Sequence, residues 1–215
     1  TNTAAPNFAF DLCLNSISDE QRDGLDLRTW SVALNAAETV RLKTIENFNE
    51  FFSGSGLSAN TICPGFGLAE GTLKITALPK ESPLEHLHLN RQQLAAGIIS
   101  DEAVASENTV AVVGCGYPVA DTIVSIVDPE SHCLVDNETI GEVWASGPAI
   151  AEGYWNNPVA TEQNFKATIK NASGNNDKAS GASYLRTGDL GFIRDKELFI
   201  TGRISELIII HGQNY

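Results

Sequence analysis

The chain has 215 residues, enough to bury a substantial core in one large domain or two small ones. Hydrophobic residues make up 42% and charged residues 19%, the balance of a folded globular chain and not of a disordered one. Asp and Glu number 27 against 14 Lys and Arg, and the net charge of −13 argues against nucleic-acid binding, which needs clustered cations to meet phosphates.

The longest aliphatic run, Leu207 to Ile210, is too short to cross a bilayer, so no membrane span is expected. No stretch reads as a signal peptide or an amphipathic targeting segment. Cys13, Cys63, Cys115 and Cys133 lack metal-binding spacing and are expected to stay reduced, as small buried residues of a cytoplasmic protein. The chain contains no Met and opens on TNTAAPNFAF, which points to a piece of a longer polypeptide.

PNFAFDLCLNSISDEQRDGLDL, beginning at Pro6, predicts a helix with Phe8, Leu12 and Ile17 on its buried side. WSVALNA, Trp30 to Ala36, has an apolar, β-branched centre and predicts a short buried strand. In AETVRLKTIENFNEFFSGSG, Leu42, Ile45, Phe48 and Phe52 recur at helical spacing, and Gly54 is the expected stop. ANTICPGFG then reads as a second strand running into a glycine-marked loop, completing a βαβ unit with a parallel sheet.

After Pro79 the texture changes to a polar, acidic stretch, Lys80 to Thr109, with a short helix expected in HLHLNRQQLAAG. From VAVVGCG onward, DTIVSIVDP, IGEVWASGP and GFIRDKELFITG predict strands and turns, an all-β part closing into a small distorted barrel. PVATEQNFKATI predicts an inserted helix with Pro158 in its first turn, and Asn171 to Ser183 a mobile loop. The expected class is therefore α/β. A layered parallel part spans 1–79, an insertion 80–109, a β-rich part 110–203, and a hinge begins at 204.

Three stretches carry residues suited to chemistry. In PGFGLAEGT, two glycines admit a ligand to the backbone while Glu70 and Thr72 offer a hard carboxylate and a hydroxyl, the kind of donors Mg²⁺ takes beside a nucleotide's phosphates. The plainer alternative is a glycine-rich turn whose Glu faces water. In NAAETV, Ala36 and Ala37 leave room for a flat ring at a strand's carboxyl end, where open α/β sheets bind ligands. Here the alternative makes Glu38 a first-turn residue of the following helix, favoured by its dipole. In LRTGDLG, Asp189 between glycines is placed on a turn to accept ribose hydroxyls, with Arg203 within reach. An Asx-turn and a surface ion pair are the alternatives.

In their order, PNFAFDLC, ALNAAETVR, FGLAEGTL, GEVWASGPAIAEGYWN, LRTGDLGF and ELFITGRISELIIIHGQNY resemble the adenylate-forming enzymes, and within them the fatty acyl-AMP ligases. The resemblance implies an acyl-CoA synthetase-like fold and a fatty acid and ATP as substrates. The acyl group would pass to an acyl carrier protein, and the family's cofactors are ATP/AMP and Mg²⁺. It implies that Asn35, Ala36, Ala37 and Glu38, with Phe66 and Gly67, line the adenine site. Glu70 would hold Mg²⁺, Thr72 the α-phosphate, and Asp189 the ribose hydroxyls beside Arg203. Glu70, Thr72 and Arg203 are thus the catalytic candidates. Residues 80–109 fall where this branch carries a segment thought to hinder coenzyme A, and the chain alone is expected to be inactive.

Overall fold

Alternating apolar residues build short strands, and the inner positions of the first parallel ones meet a helical layer. The computed structural model describes residues 1–136, 138–171, 182–206, 209–210 and 213–214. The expected mobile loop at 171–183 and the hinge from 204 therefore lie largely outside the described residues. Strand β1 (Asn2–Ala5) leads into helices α1 (Asn7–Ser16) and α2 (Asp19–Asp23), strand β2 (Val32–Asn35), helix α3 (Leu42–Phe52) and strand β3 (Ile62–Phe66). β1, β2 and β3 pair in parallel, with Ala33 opposite Thr3 and Ile62 and Asn35 opposite Pro64, as a βαβ crossover requires.

Short β4 (Thr76–Ala77) and β7 (Tyr117–Pro118) extend this sheet in antiparallel fashion to the order β1-β2-β3-β4-β7. Ala33 on β2 packs with Phe10 of α1 and with Ile45, Phe48 and Phe52 of α3. The neighbouring residues Val32 and Leu34 point the other way, as strand alternation demands, and with Cys63 and Leu78 line a cavity of about 450 Å³.

The inward face of α1 differs from the expected one. Phe8 and Leu12 are 60% and 58% exposed, whereas Phe10 is buried and Cys13, Leu14 and Ile17 pack against the core. Asn7 decides the rotation. Its buried side chain donates to Thr44 Oγ1 (3.1 Å) and accepts from Asn35 Nδ2 (3.3 Å) and from the Arg41 N–H at the start of α3 (3.0 Å). With Asn7 inward, residues 10, 14 and 17 follow it at helical spacing, and Phe8 and Leu12 turn outward. The stop of α3 also lies elsewhere. A 3₁₀ turn carries the chain past Gly54 to Gly56, whose φ of 84° ends it and whose Cβ would lie 2.6 Å from Arg28 Cγ.

HLHLN is a strand, not helix. β5 (His86–Asn90) pairs antiparallel with β6 (Thr109–Val113), and only Arg91–Ala95 (α4) is helical, capped by the Asn90 side chain. Period-two alternation puts Leu89 in the core with Val112, Phe192 and Phe199, which outweighs the helix reading of so short a run. β8 (Ile123–Val127), β9 (Gly141–Ser146), β10 (Leu185–Arg194) and β11 (Glu197–Arg203) form an antiparallel sheet ordered β11-β10-β9-β8, with α5 (Pro158–Phe165) inserted before β10. Among the described residues this sheet stays open and does not close into a barrel.

The two halves meet where Cys115 N–H donates to Leu198 O (2.7 Å) and Leu198 N–H to Gly116 O (3.0 Å). Glu197 is buried at this seam and accepts the Gly116 N–H at 3.1 Å. A Cβ on Gly114 would fall 2.3 Å from its carboxylate oxygen, so the glycine makes the space the carboxylate fills. Burial raises the Glu197 pKa, against the lowering effect of the Gly116 N–H, and the charge of Glu85 raises it further. The folded state thus binds this proton more readily than the unfolded chain. The stability it contributes is full below the ordinary carboxylate pKa and is lost as pH rises through the raised one. Glu197→Gln is expected to gain stability relative to the parent residue between about pH 4 and about pH 7, measured by denaturant unfolding at both. An unchanged difference at the two pH values would contradict this.

Candidate nucleotide site

The register Asn35↔Pro64 brings the carboxyl ends of β2 and β3 side by side, so residues 35–38 and 66–67 leave the parallel sheet at one edge. Asn35 is fully buried and turned inward on Asn7, with its Oδ1 lacking a hydrogen-bond partner among the described residues. Ala37 adopts φ 74°, a left-handed conformation that turns the chain sharply after the strand. Glu38 precedes α3 rather than lying in its first turn. Its carboxylate accepts the Phe8 N–H, supplying the side-chain cap that Pro6 cannot give α1.

Phe66, half-buried at the end of β3, packs against the cluster of Ile126, Val143 and Leu198 in the second sheet. Beyond it the chain folds tightly on itself. Ile75 N–H donates to Phe66 O, Leu73 N–H to Leu68 O, and Thr72 and Leu73 take positive φ. Gly67 lies so deep in this turn that a Cβ would sit 1.5 Å from Leu73 O. Gly67→Ala is expected to force the backbone apart and destabilise the protein by roughly 1–3 kcal/mol or more. Thermal unfolding checks this, and a melting temperature equal to the parent's would contradict it.

Glu70 projects from the 3₁₀ turn Ala69–Gly71 and is gripped by the loop that follows β9. Its Oε1 accepts the Tyr154 hydroxyl at 2.7 Å, and its backbone carbonyl accepts the Ala151 N–H at 2.8 Å. Thr72 donates its hydroxyl to the Ala149 carbonyl. Burial and the Glu70 carboxylate together raise the Tyr154 pKa, keeping its hydroxyl a donor. The Tyr154 ring packs edge-on against Phe165 of α5, with centroids 5.0 Å apart.

Asp189 lies within β10 and not on a turn. The β9–β10 register runs Arg186↔Trp144 and then Leu190↔Glu142, so Thr187, Gly188 and Asp189 bulge opposite Val143. Across the hairpin Asp189 faces Arg203, whose Nε approaches its carboxylate at 2.9 Å. Glu142 is the residue that the motif reading missed. It is 2% exposed, pairs with Arg186 at 2.8 Å, and accepts from Trp144 Nε1 (2.8 Å) and from the Gly188 N–H (3.1 Å). A charged residue inside the apolar strand pattern GEVWAS was the available signal.

Among the described residues no three His, Cys, Asp or Glu side chains gather as a metal cluster. Glu70 belongs to no such cluster, and its carboxylate would suit Mg²⁺ carried mainly by phosphates and not a dedicated metal cage. No helix among the described residues is long and apolar enough to cross a membrane.

Residues 1–155 match the family described as AMP-binding enzyme. The whole chain is 37% identical to a medium-chain-fatty-acid–acyl-carrier-protein ligase of Teredinibacter turnerae, of which it covers 33%. Its fold superposes with a TM-score of 0.87 on the crystal structure of a fatty acid AMP ligase from Legionella pneumophila, at 38% identity over 99% of this chain and 35% of that one. A fatty acyl-adenylate ligase from L. pneumophila, in complex with acyl adenylate and pyrophosphate, gives 0.86 at 38% identity, covering 99% of this chain and 36% of that one. The chain thus spans about a third of the length of the relatives it matches.

Proposed function

This chain belongs to the AMP-binding enzyme family, and on that premise we propose that the full-length protein joins a fatty acid to AMP and delivers the acyl group to a carrier-protein thiol. The observation that carries this reading is the Asp189–Arg203 pair, fixed in register at a bulge of the sheet against which Phe66 packs. A carboxylate backed by a guanidinium at that point is suited to both hydroxyls of a ribose. The adenine would lie over the edge formed by residues 35–38 and 66–67.

A carboxylate oxygen of the fatty acid attacks the α-phosphorus of ATP, and the bond to pyrophosphate breaks. Glu70 would hold Mg²⁺, whose chemistry there would be to neutralise phosphate charge. Thr72 would turn its hydroxyl from the Ala149 carbonyl to an α-phosphate oxygen, and Arg203 would steady the nucleotide through Asp189. Positioning and charge neutralisation dominate such phosphoryl chemistry, so little covalent help is needed from the protein.

Residues 80–109 would act against coenzyme A. β5 and Leu89 anchor this segment in the fold, which supports a fixed obstruction over a loose surface insertion. The four cysteines are free, in keeping with a reducing cytoplasmic setting.

The test supplies the full-length protein with labelled fatty acid, ATP and Mg²⁺, then coenzyme A or a phosphopantetheinylated carrier protein. Acyl-adenylate that persists with coenzyme A but discharges onto the carrier supports the proposal. Efficient acyl-CoA formation would move the protein to the acyl-CoA synthetases, and failure to form any adenylate would overturn the enzymatic reading.

A further inference from the structure

We infer that Glu142, backed by Arg186, is a positioning residue that sets the ribose-binding geometry of Asp189 from the neighbouring strand β9. The inference rests on the reading of Asp189 as the ribose-hydroxyl acceptor. Glu142 has two oxygens with separate tasks. Oε2 takes Arg186 Nε (3.0 Å) and Trp144 Nε1 (2.8 Å), which together satisfy a charge buried within the sheet. Oε1 reaches past that pair to the Gly188 N–H at 3.1 Å.

At the bulge, side chains stand in for the strand ladder. The Gly188 N–H is taken by Glu142, and the Asp189 N–H by Thr187 Oγ1 (3.1 Å), which itself donates to Val143 O (2.6 Å). Gly188 takes φ 74°, a turn that aims the next residue away from the β9 ladder and toward Arg203 on β11. Arg186 is held in turn, with its guanidinium 5.5 Å over the Trp144 ring and Nη1 3.4 Å from His132 Nε2. An ion pair serving only to stabilise the sheet has no need of the contact to Gly188. That contact ties a fully enclosed carboxylate to the backbone one residue before the proposed ribose ligand.

The test measures equilibrium binding of ATP and of 2′,3′-dideoxy-ATP to the full-length protein by calorimetry, since the two differ only in the ribose hydroxyls. Asp189→Asn should reduce the preference for ATP. Glu142→Gln, which places an amide among donors, should reduce it by roughly ten- to hundredfold. Glu142→Met combined with Arg186→Met leaves no unpaired buried charge, so it should fold, and it should show the same loss because Gly188 loses its acceptor. A folded double variant that keeps the full preference, while Asp189→Asn loses it, would overturn the positioning role and leave the ribose reading standing. If Asp189→Asn itself keeps the preference, the ribose reading fails and this inference falls with it.

Discussion

Glu70→Gln in the full-length protein is expected to slow acyl-adenylate formation by about 10²–10³-fold, the scale of several kcal/mol of metal-borne charge stabilisation. Gln keeps the volume and still accepts the Tyr154 hydroxyl, so the turn Ala69–Gly71 and its clamp by Ala151 should survive. What disappears is the negative charge that would draw Mg²⁺ to the phosphates. The measurement is pyrophosphate release against Mg²⁺ concentration, with thermal unfolding as a control for the fold. The variant should need more Mg²⁺ at every rate it reaches. Parent-like rates at low Mg²⁺ would leave Glu70 as a structural residue that only receives Tyr154.

The largest effect on stability is expected at Phe48. Its ring lies 5.2 Å from Phe10, 6.1 Å from Trp30 and 4.6 Å from Phe52, joining α1, the lead into β2 and α3 around one buried point. Phe48→Ala removes these partners and leaves a cavity that the sheet beneath cannot refill, at a cost of about 3–5 kcal/mol. The denaturant midpoint measures it. Phe8→Ala provides the contrast, since Phe8 is exposed on the outer face of α1 and should shift that midpoint far less. Equal shifts for the two would refute the inward rotation of α1.

That rotation shows where the sequence was hard to read. α1 carries apolar residues on both faces: Phe8 and Leu12 are paired four apart just as Phe10 and Leu14 are, and Ile17 falls on the face of the second pair. The choice fell to Asn7, a polar residue whose long-range partners Thr44, Asn35 and Arg41 come from 28 to 37 positions away. The β2–α3–β3 unit and the β10–β11 hairpin were legible because their signals are local, a stripe in one case and a two-residue turn in the other. HLHLN was misread for the same physical reason as α1. Five residues fit either period, and pairing with β6 decided the outcome. Glu70, Asp189 and Arg203 stood out through the glycines around them. Glu142 did not, because its meaning lies in what a distant segment brings to it.

Asn7 also makes three elements into one cooperative unit. A fluctuation that lifts α1 from the sheet takes away, in one motion, the acceptor for the Arg41 amide at the head of α3 and the partner of the Asn35 side chain at the end of β2. The Arg41 amide proton therefore exchanges with solvent on the schedule of α1 undocking, although it belongs to a different helix. The carboxyl end of β2 is thus tied to the docking of α1, so whatever rests on the outer face of α1 would also bear on how firmly that strand end is held.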